Sequence, residues 1–523
     1  MNPVDPNQPV PVAIIGMACL FPKADDLTRY WSNIRNRVDA ITEVPPTHWR
    51  PEDYFDDDPK SPDRTYARRG GFLDPVDFPP LDFGIAPNNL EATDTTQLLG
   101  LMVARQALED AGYGDGTARG KTLDRGRVST ILGVTGTLEL VIPLGARLGH
   151  PIWRRALKEA GVPTDQADEV VRRIADSYVG WQENSFPGLL GNVAAGRIAN
   201  RLDLGGTNCV IDAACASSIG ALNLALLELS SGRCDVALSG GLDTFNDIFM
   251  YMCFSKTPAL SPRGDARPFD AGCDGTILGE GLGVVVLKRL DDARRDGDRI
   301  YAVIRSVGSS SDGKGNAVYA PSASGQARCL VDAYQQAGVT PDTIELVEAH
   351  GTGTKVGDAT ELAALHSAYG EHRPGDVVRS GRSSRRSGIP RRPPGSRDHQ
   401  GGPRAAPQGP PAHDQGRHAR RGGRSRSVSL LRQHRASTLA APTGPSARAA
   451  VKRLWLRGQQ LPLRPRGGRS GQVDHRLGRL RFVAGLLRAE PRRHPRRARR
   501  HPRRPRRLRA PTPCLRVTSP VPE

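Results

Sequence analysis

Long apolar stretches are missing from this 523-residue chain. No run approaches the 18 or more residues that a membrane-crossing helix needs, so no membrane span is expected. Cysteine occurs eight times, at 19, 209, 215, 234, 253, 273, 329 and 514. There is no CxxC pair and no metal-ligand spacing, so no metal site is expected. The opening MNPVDPNQPV has no signal-peptide pattern, and the thiols read as reduced and the protein as cytoplasmic. Lysine is nearly absent from residues 376–523, where 37 arginines stand beside the single Lys452. Aromatics are scarce there too, with only Trp455 and Phe482. The interleaved stacking surfaces of single-strand nucleic-acid binders are therefore lacking.

The net charge of +19 conceals two kinds of text. Residues 1–375 carry 36 Lys+Arg against 49 Asp+Glu, whereas residues 376–523 carry 38 against 6. Beyond 376 the hydrophobic periodicity stops. Segments such as PRRHPRRARRHPRRPRRLRAP cannot bury a core, and disorder is expected.

Up to about 375 the pattern is that of a layered α/β protein. Strands are expected at 12–21, 235–244, 281–290, 300–313 and 344–350, and helices at 97–113 and 325–338. Apolar strands alternating with helices imply a sheet covered on both faces. The Pro-rich stretch 44–90 reads as surface decoration, and Asp56–Asp58 as a solvated run. The glycines at 279–283 have no βαβ context and are not a dinucleotide site.

Two places carry chemistry. TNCVIDAACASSIGALNLALLEL, 207–229, is a β-branched run giving way to an apolar helix, with Cys215 at the corner. Free amide N–H groups and the positive dipole end at a helix N-terminus favour a thiolate. A cysteine elsewhere is more often an inert, buried hydrophobe, and Cys209, Cys234 and Cys253 are read in that way. In EAHGTGTKVGD, 348–358, His350 ends a strand and is followed by Gly351-Thr352-Gly353-Thr354. Glycines admit close backbone approach, and the two hydroxyls suit an amide-bearing ligand arm. A lone strand-end histidine is usually structural, but paired with a corner cysteine it suggests a site.

These segments, with VAIIGMACLFPKADDLTRYWSNI, FSKTPALSPRGDARPFDAGCDG and ILGEGLGVVVLKRL, resemble the β-ketoacyl synthase domains of type I polyketide and fatty acid synthases. TYARRGGFLDPVDF, WQENSFPGLLGNVAAGRIANRLDLGG and SDGKGNAVYAPSASGQA are similar to the branch found in polyunsaturated-fatty-acid synthases. The resemblance covers about 10–375. It implies a thiolase-like fold, two similar halves in α-β-α-β-α layers, working as a homodimer beside neighbouring synthase domains. Cys215 would take an acyl chain from the phosphopantetheine of an acyl carrier protein. His350, with a second histidine, would stabilise the enolate formed as a malonyl thioester loses carbon dioxide. The Cys215 N–H would be one oxyanion donor. Thr352 and Thr354 match positions that contact the pantetheine arm, and Asp358 and Glu361 match positions that hold the loop. No cofactor would be bound covalently, since the phosphopantetheine belongs to the carrier protein.

The lysine, the second histidine and the glycine-rich turn of the family's second half are missing from the literal text. Written with permitted codons and begun one nucleotide later, Lys452–Leu463 spells SGFGFGGSNFH. Arg397–Gly416 yields GTIKAVLALHHKVLPPTIKV in the same way, and Gly381–Gly395 yields GSVKSQIGHTKAAAG in the other frame. Three such matches in family order lead to the expectation of frame slips near 376 and 396. The domains are therefore read as a ketosynthase at 10–375, complete in its first half and truncated in its second, and a frameshifted tail at 376–523. Two other readings compete with a carrier-protein-dependent condensing enzyme of doubtful activity. One is a nucleic-acid-binding protein acting through the basic tail, for which no sequence-specific contact is expected. The other is a thiolase-fold enzyme using coenzyme A.

Overall fold

Strand β1 (Val12–Leu20) is followed by α1 (Leu27–Asn36), β2 (Thr42–Glu43), the single turn α2 (Pro51–Tyr54) and β3 (Arg69–Gly70). Helix α3 (Thr95–Ala111) leads to β4 (Val128–Gly133). Four helices follow, α4 (Val141–Arg147), α5 (His150–Glu159), α6 (Thr164–Asp176) and α7 (Ser185–Leu189). Then come α8 (Gly191–Arg201), β5 (Asn208–Ile211), α9 (Ser217–Ser230), β6 (Val236–Asp243) and α10 (Ile248–Lys256). β7 (Gly281–Arg289) and α11 (Leu290–Arg295) close the first half. The second half holds β8 (Ala302–Ser310), α12 (Ala323–Ala337), β9 (Leu346–Glu348), α13 (Lys355–Tyr369), β10 (Arg448–Val451) and β11 (Arg481–Arg488). This computed structural model describes residues 10–114, 121–136, 138–314, 320–344 and 346–370, and the backbone of β10 and β11. All of these lie in one compact unit, and the second unit, Pro491–Glu523, falls outside the described residues.

Local chemistry sets the helix ends. Asp94 caps α3 by accepting from the Thr96 N–H, and Gly112 at φ +85° stops it in the left-handed conformation. Ser322 and Gly338 do the same for α12. Both helices press onto glycines. A Cβ on Gly16 of β1 would lie 2.6 Å from the Ala107 carbonyl oxygen of α3, and one on Gly308 of β8 would lie 2.2 Å from that of Cys329 in α12.

The sheet runs β5-β4-β6-β7-β1-β8-β11-β10-β9. β1 meets β8 only from Val12↔Ile304 to Ile14↔Ala302. Either side of that junction the pattern repeats. From β1 through β7 and β6 to β4 the pairings are antiparallel, antiparallel and parallel. From β8 through β11 and β10 to β9 they are again antiparallel, antiparallel and parallel. β5, which pairs with β4, has no counterpart beside β9 among the described residues.

Five layers follow from the packing. Leu101, Val103, Ala104 and Ala107 of α3 and Ala194 and Ile198 of α8 cover one face of the first-half strands. On the other face, Ala221, Ala225 and Leu229 of α9 bury Ile131, Ala237 and Leu287 together with Ile304 and Val307 of β8. Helix α12 covers β8 and β11 from outside, and its Leu330, Ala333 and Tyr334 pack on Leu365 and Tyr369 of α13. Among the described residues no helix is long and apolar enough to cross a membrane.

Two expectations are corrected. The stretch 44–90 is not mere decoration, because Val44, Trp49, Tyr66, Ala67 and Phe72 form a core with Tyr251 and Leu260. Residues 448–451 and 481–488 are strands in a region where none was expected. The rest of 376–523 lies outside the described residues.

Candidate active site

β5 ends at Ile211, and a 3-10 turn, Ala214–Ala216, passes directly into α9. Cys215 therefore stands at a strand-to-helix corner, half-buried, beside the positive end of the α9 dipole. Small residues allow this. A Cβ on Gly133 of β4 would lie 2.4 Å from the Ser217 carbonyl carbon and the Ser218 nitrogen, so the helix start rests against the strand. The Ser217 hydroxyl accepts from the Ala213 N–H at 2.9 Å and donates to the Ala214 carbonyl at 2.5 Å. Thr135 Oγ1 stands 3.1 Å from it.

The loop after β9 is fastened by two carboxylates of α13. Glu361, 1% exposed, accepts the N–H of His350 on Oε1 and that of Gly351 on Oε2, both at 2.9 Å. Asp358 accepts the Phe269 N–H at 2.6 Å, the Gly353 N–H at 3.1 Å and the Thr352 hydroxyl at 3.3 Å. Burial pushes its carboxyl above the usual range despite those three hydrogen bonds. Thr354 caps α13 by accepting from the Gly357 N–H, and its hydroxyl lies 2.9 Å from that of Thr352. Gly351 has φ +54°, with Pro268 and Phe269 packed where a side chain would project.

The structure thus gathers His350, Thr352, Thr354, Asp358 and Glu361 into one hydrogen-bonded unit. The segment between α10 and β7 braces it through Phe269 and through the Gly275 N–H, which donates to the Gly353 carbonyl at 3.1 Å. Cys215 is held separately, at the α9 corner. Of the cysteines read as core, Cys234 is buried and Cys209 half-buried, but Cys253 is exposed because it faces outward on α10.

A cluster of acids escaped the sequence reading. β4, β6 and the start of β7 share one end of the sheet, and the first turn of α9, just after Cys215, meets β4 and β6 there at Gly133 and Gly241. Glu139 follows β4, Asp247 follows β6 and Glu280 precedes β7. Glu280 bonds His48 Nε2 at 2.6 Å and the Leu73 N–H at 2.7 Å, and Asp94 accepts the Leu140 N–H at 3.0 Å. The hydrogen bond to Glu280 raises the His48 pKa against the effect of its burial. Burial, and then the charges of Asp247 and Asp94, push Glu139 up to about 7. No spacing rule signals this group, because its members come from five separate segments.

The chain is similar to known proteins. The β-ketoacyl synthase N-terminal domain profile matches residues 10–293, and the C-terminal domain profile matches 301–384. The chain is 40% identical over 364 residues to a polyunsaturated fatty acid synthase polypeptide of Thraustochytrium sp., covering 69% of this chain and 13% of that protein. It is 36% identical over 362 residues to a phenolphthiocerol/phthiocerol polyketide synthase polypeptide of Mycobacterium tuberculosis, covering 69% and 18%. The chain therefore spans less than a fifth of these relatives. A solved oxazolomycin ketosynthase domain from Streptomyces albus JA3453 superposes with a TM-score of 0.57 at 30% identity, over 70% of this chain and 57% of that one. The ketosynthase from module 6 of the bacillaene synthase of Bacillus subtilis 168 gives 0.55 at 33% identity, over 69% and 54%. The fold is the thiolase-like one of these domains, and the chain belongs to the β-ketoacyl synthase family.

Proposed function

We propose that this chain is a condensing enzyme of polyketide or fatty acid assembly, acting on chains tethered to the phosphopantetheine of an acyl carrier protein. The observation that carries the reading is Cys215 on a tight strand-to-helix corner at the N-terminus of a buried helix. The Cys215 thiolate attacks the acyl thioester, the pantetheine thiolate leaves, and the chain becomes a thioester on Cys215. A malonyl thioester then loses carbon dioxide, and its enolate attacks that carbonyl and expels Cys215 as thiolate. His350 stabilises the enolate oxygen, and the Cys215 N–H serves the tetrahedral oxyanion. Thr352 and Thr354 border the pantetheine arm, and Asp358 and Glu361 hold the loop that carries His350. A homodimer in the cytoplasm, with neighbouring synthase domains, is the assembly that suits this reading.

The domain division proposed is a ketosynthase at 10–375 and a tail at 376–523 read in displaced frames. The position of the missing text supports it. In chain order the first half runs β1, β4, β5, β6, β7, so a counterpart of β5 belongs between β9 and β10. Gly381–Gly395, whose displaced frame spells a motif containing the second histidine, lies in that interval. The literal chain should accept an acyl group yet condense poorly. Loss of an oxyanion donor alone typically costs on the order of 10²–10³ in rate.

Intact-mass and peptide analysis tests the reading. Incubation with an acyl-carrier-protein thioester should add one acyl group to Cys215, and the Cys215→Ala variant should take none. Acylation by acyl-coenzyme A at an equal rate would favour the coenzyme A reading. An adduct on other cysteines but never on Cys215 would overturn both.

A further inference from the structure

We propose that Asp212 is a positioning residue for Cys215, holding the preceding alanine in the left-handed conformation that sets the thiol at the corner. The inference rests on Cys215 being the acyl acceptor. Ala214 has φ +48°, a region in which an L-residue crowds its Cβ against the following carbonyl. Alanine has no side-chain group to stabilise itself there. Its two backbone polar groups are instead held by neighbours. Asp212 Oδ1 accepts the Ala214 N–H at 3.0 Å, and Ser217 donates to the Ala214 carbonyl.

Ser217 reaches the loop that leaves β4 only through the Thr135 hydroxyl, at 3.1 Å, whereas Asp212 holds that loop by its main chain. The second Asp212 oxygen, Oδ2, accepts the Gly136 N–H at 2.9 Å, on the loop that leaves β4. One carboxylate thus joins the exits of two adjacent parallel strands, β4 and β5, with the strained residue between them. Without that bridge Ala214 relaxes toward negative φ and turns the next peptide. That peptide carries the Cys215 N–H, so both the nucleophile and its oxyanion donor move together. Strain kept in place by surrounding structure is a recurrent property of reactive sites.

The test uses the full chain and iodoacetamide, with each cysteine followed by peptide mass. Cys253, exposed on α10, is the internal reference. Asp212→Ala should slow alkylation of Cys215 by roughly tenfold while Cys253 is unchanged. Adding Ala214→Gly should restore the rate to within about twofold, because glycine adopts φ +48° without strain. An unchanged Cys215 rate in Asp212→Ala overturns the proposal, as does failure of Ala214→Gly to rescue it. If Asp212→Ala alone does not fold, a double variant that folds with a wild-type rate supports the proposal, and one that stays unfolded or slow overturns it. Failure of the wild-type chain to accept an acyl group would count against the condensing reaction, and would leave the alkylation comparison readable.

Discussion

Glu139 shows how a single side chain connects the fold to solution conditions. Its carboxyl sits near pH 7 in the folded protein and near 4.5 when exposed. Between those values the folded state keeps a proton that the unfolded chain has lost, so stability falls as pH rises through the window. Raised carboxyls at Asp94 and Asp247 act in the same sense. The raised pKa of His48 adds stability at low pH that is also lost as pH rises through its folded value. Glu139→Gln should therefore reduce, without abolishing, the fall in melting temperature between about pH 4.5 and 7, as followed by circular dichroism. An identical slope in the variant would show that Glu139 is already ionised in the native state. Individual residues were unequally legible. His350 and Thr354 stood out because they lie in a compact run of glycines and hydroxyls. The bond between His48 and Glu280 spans 232 positions and left no local trace.

At the scale of elements, the corner at Cys215 depends on how closely α9 lies on β4. Gly133→Ala would set a methyl 2.4 Å from helix backbone atoms, and backbone cannot step aside as a flexible side chain can. The expected loss is about 1–3 kcal/mol in urea unfolding, accompanied by slower acylation of Cys215. A fully stable, fully acylated variant would mean that the corner tolerates displacement. Most strands were readable from apolar periodicity, and helices α3 and α12 because that periodicity coincides with a terminal glycine, Gly112 and Gly338. The helices α5 and α6 were not anticipated, although apolar residues recur along each at helical spacing. RFVAGLLR is likewise a strand where none is expected. Its apolar centre satisfies a strand criterion, but the surrounding arginines and prolines suggested no structure at all.

For the whole molecule, the decisive feature is the repeated strand order either side of β1 and β8. β11 pairs along β8 from Ser310 to Val303, and β10 joins β11 to β9. Ending the chain at residue 447 would remove both strands and bare one edge of β8. Exchange of the amides of Ala302–Ser310 should then accelerate by at least roughly tenfold, and aggregation should increase. Unchanged protection would show that the tail contributes nothing to this sheet. The amino-acid order alone determined most strands of the first half, helices α3 and α12, the corner cysteine, the glycine-threonine loop and the change of character near 376, since each is written in residues close together. Only the tertiary structure decided that Asp358 reaches Phe269 across 89 positions, that Asp212 bridges two strands, and that acids from separate segments share one buried end of the sheet. Those contacts depend on which strands lie side by side, and the closing of distant chain segments, not local pattern, sets that arrangement.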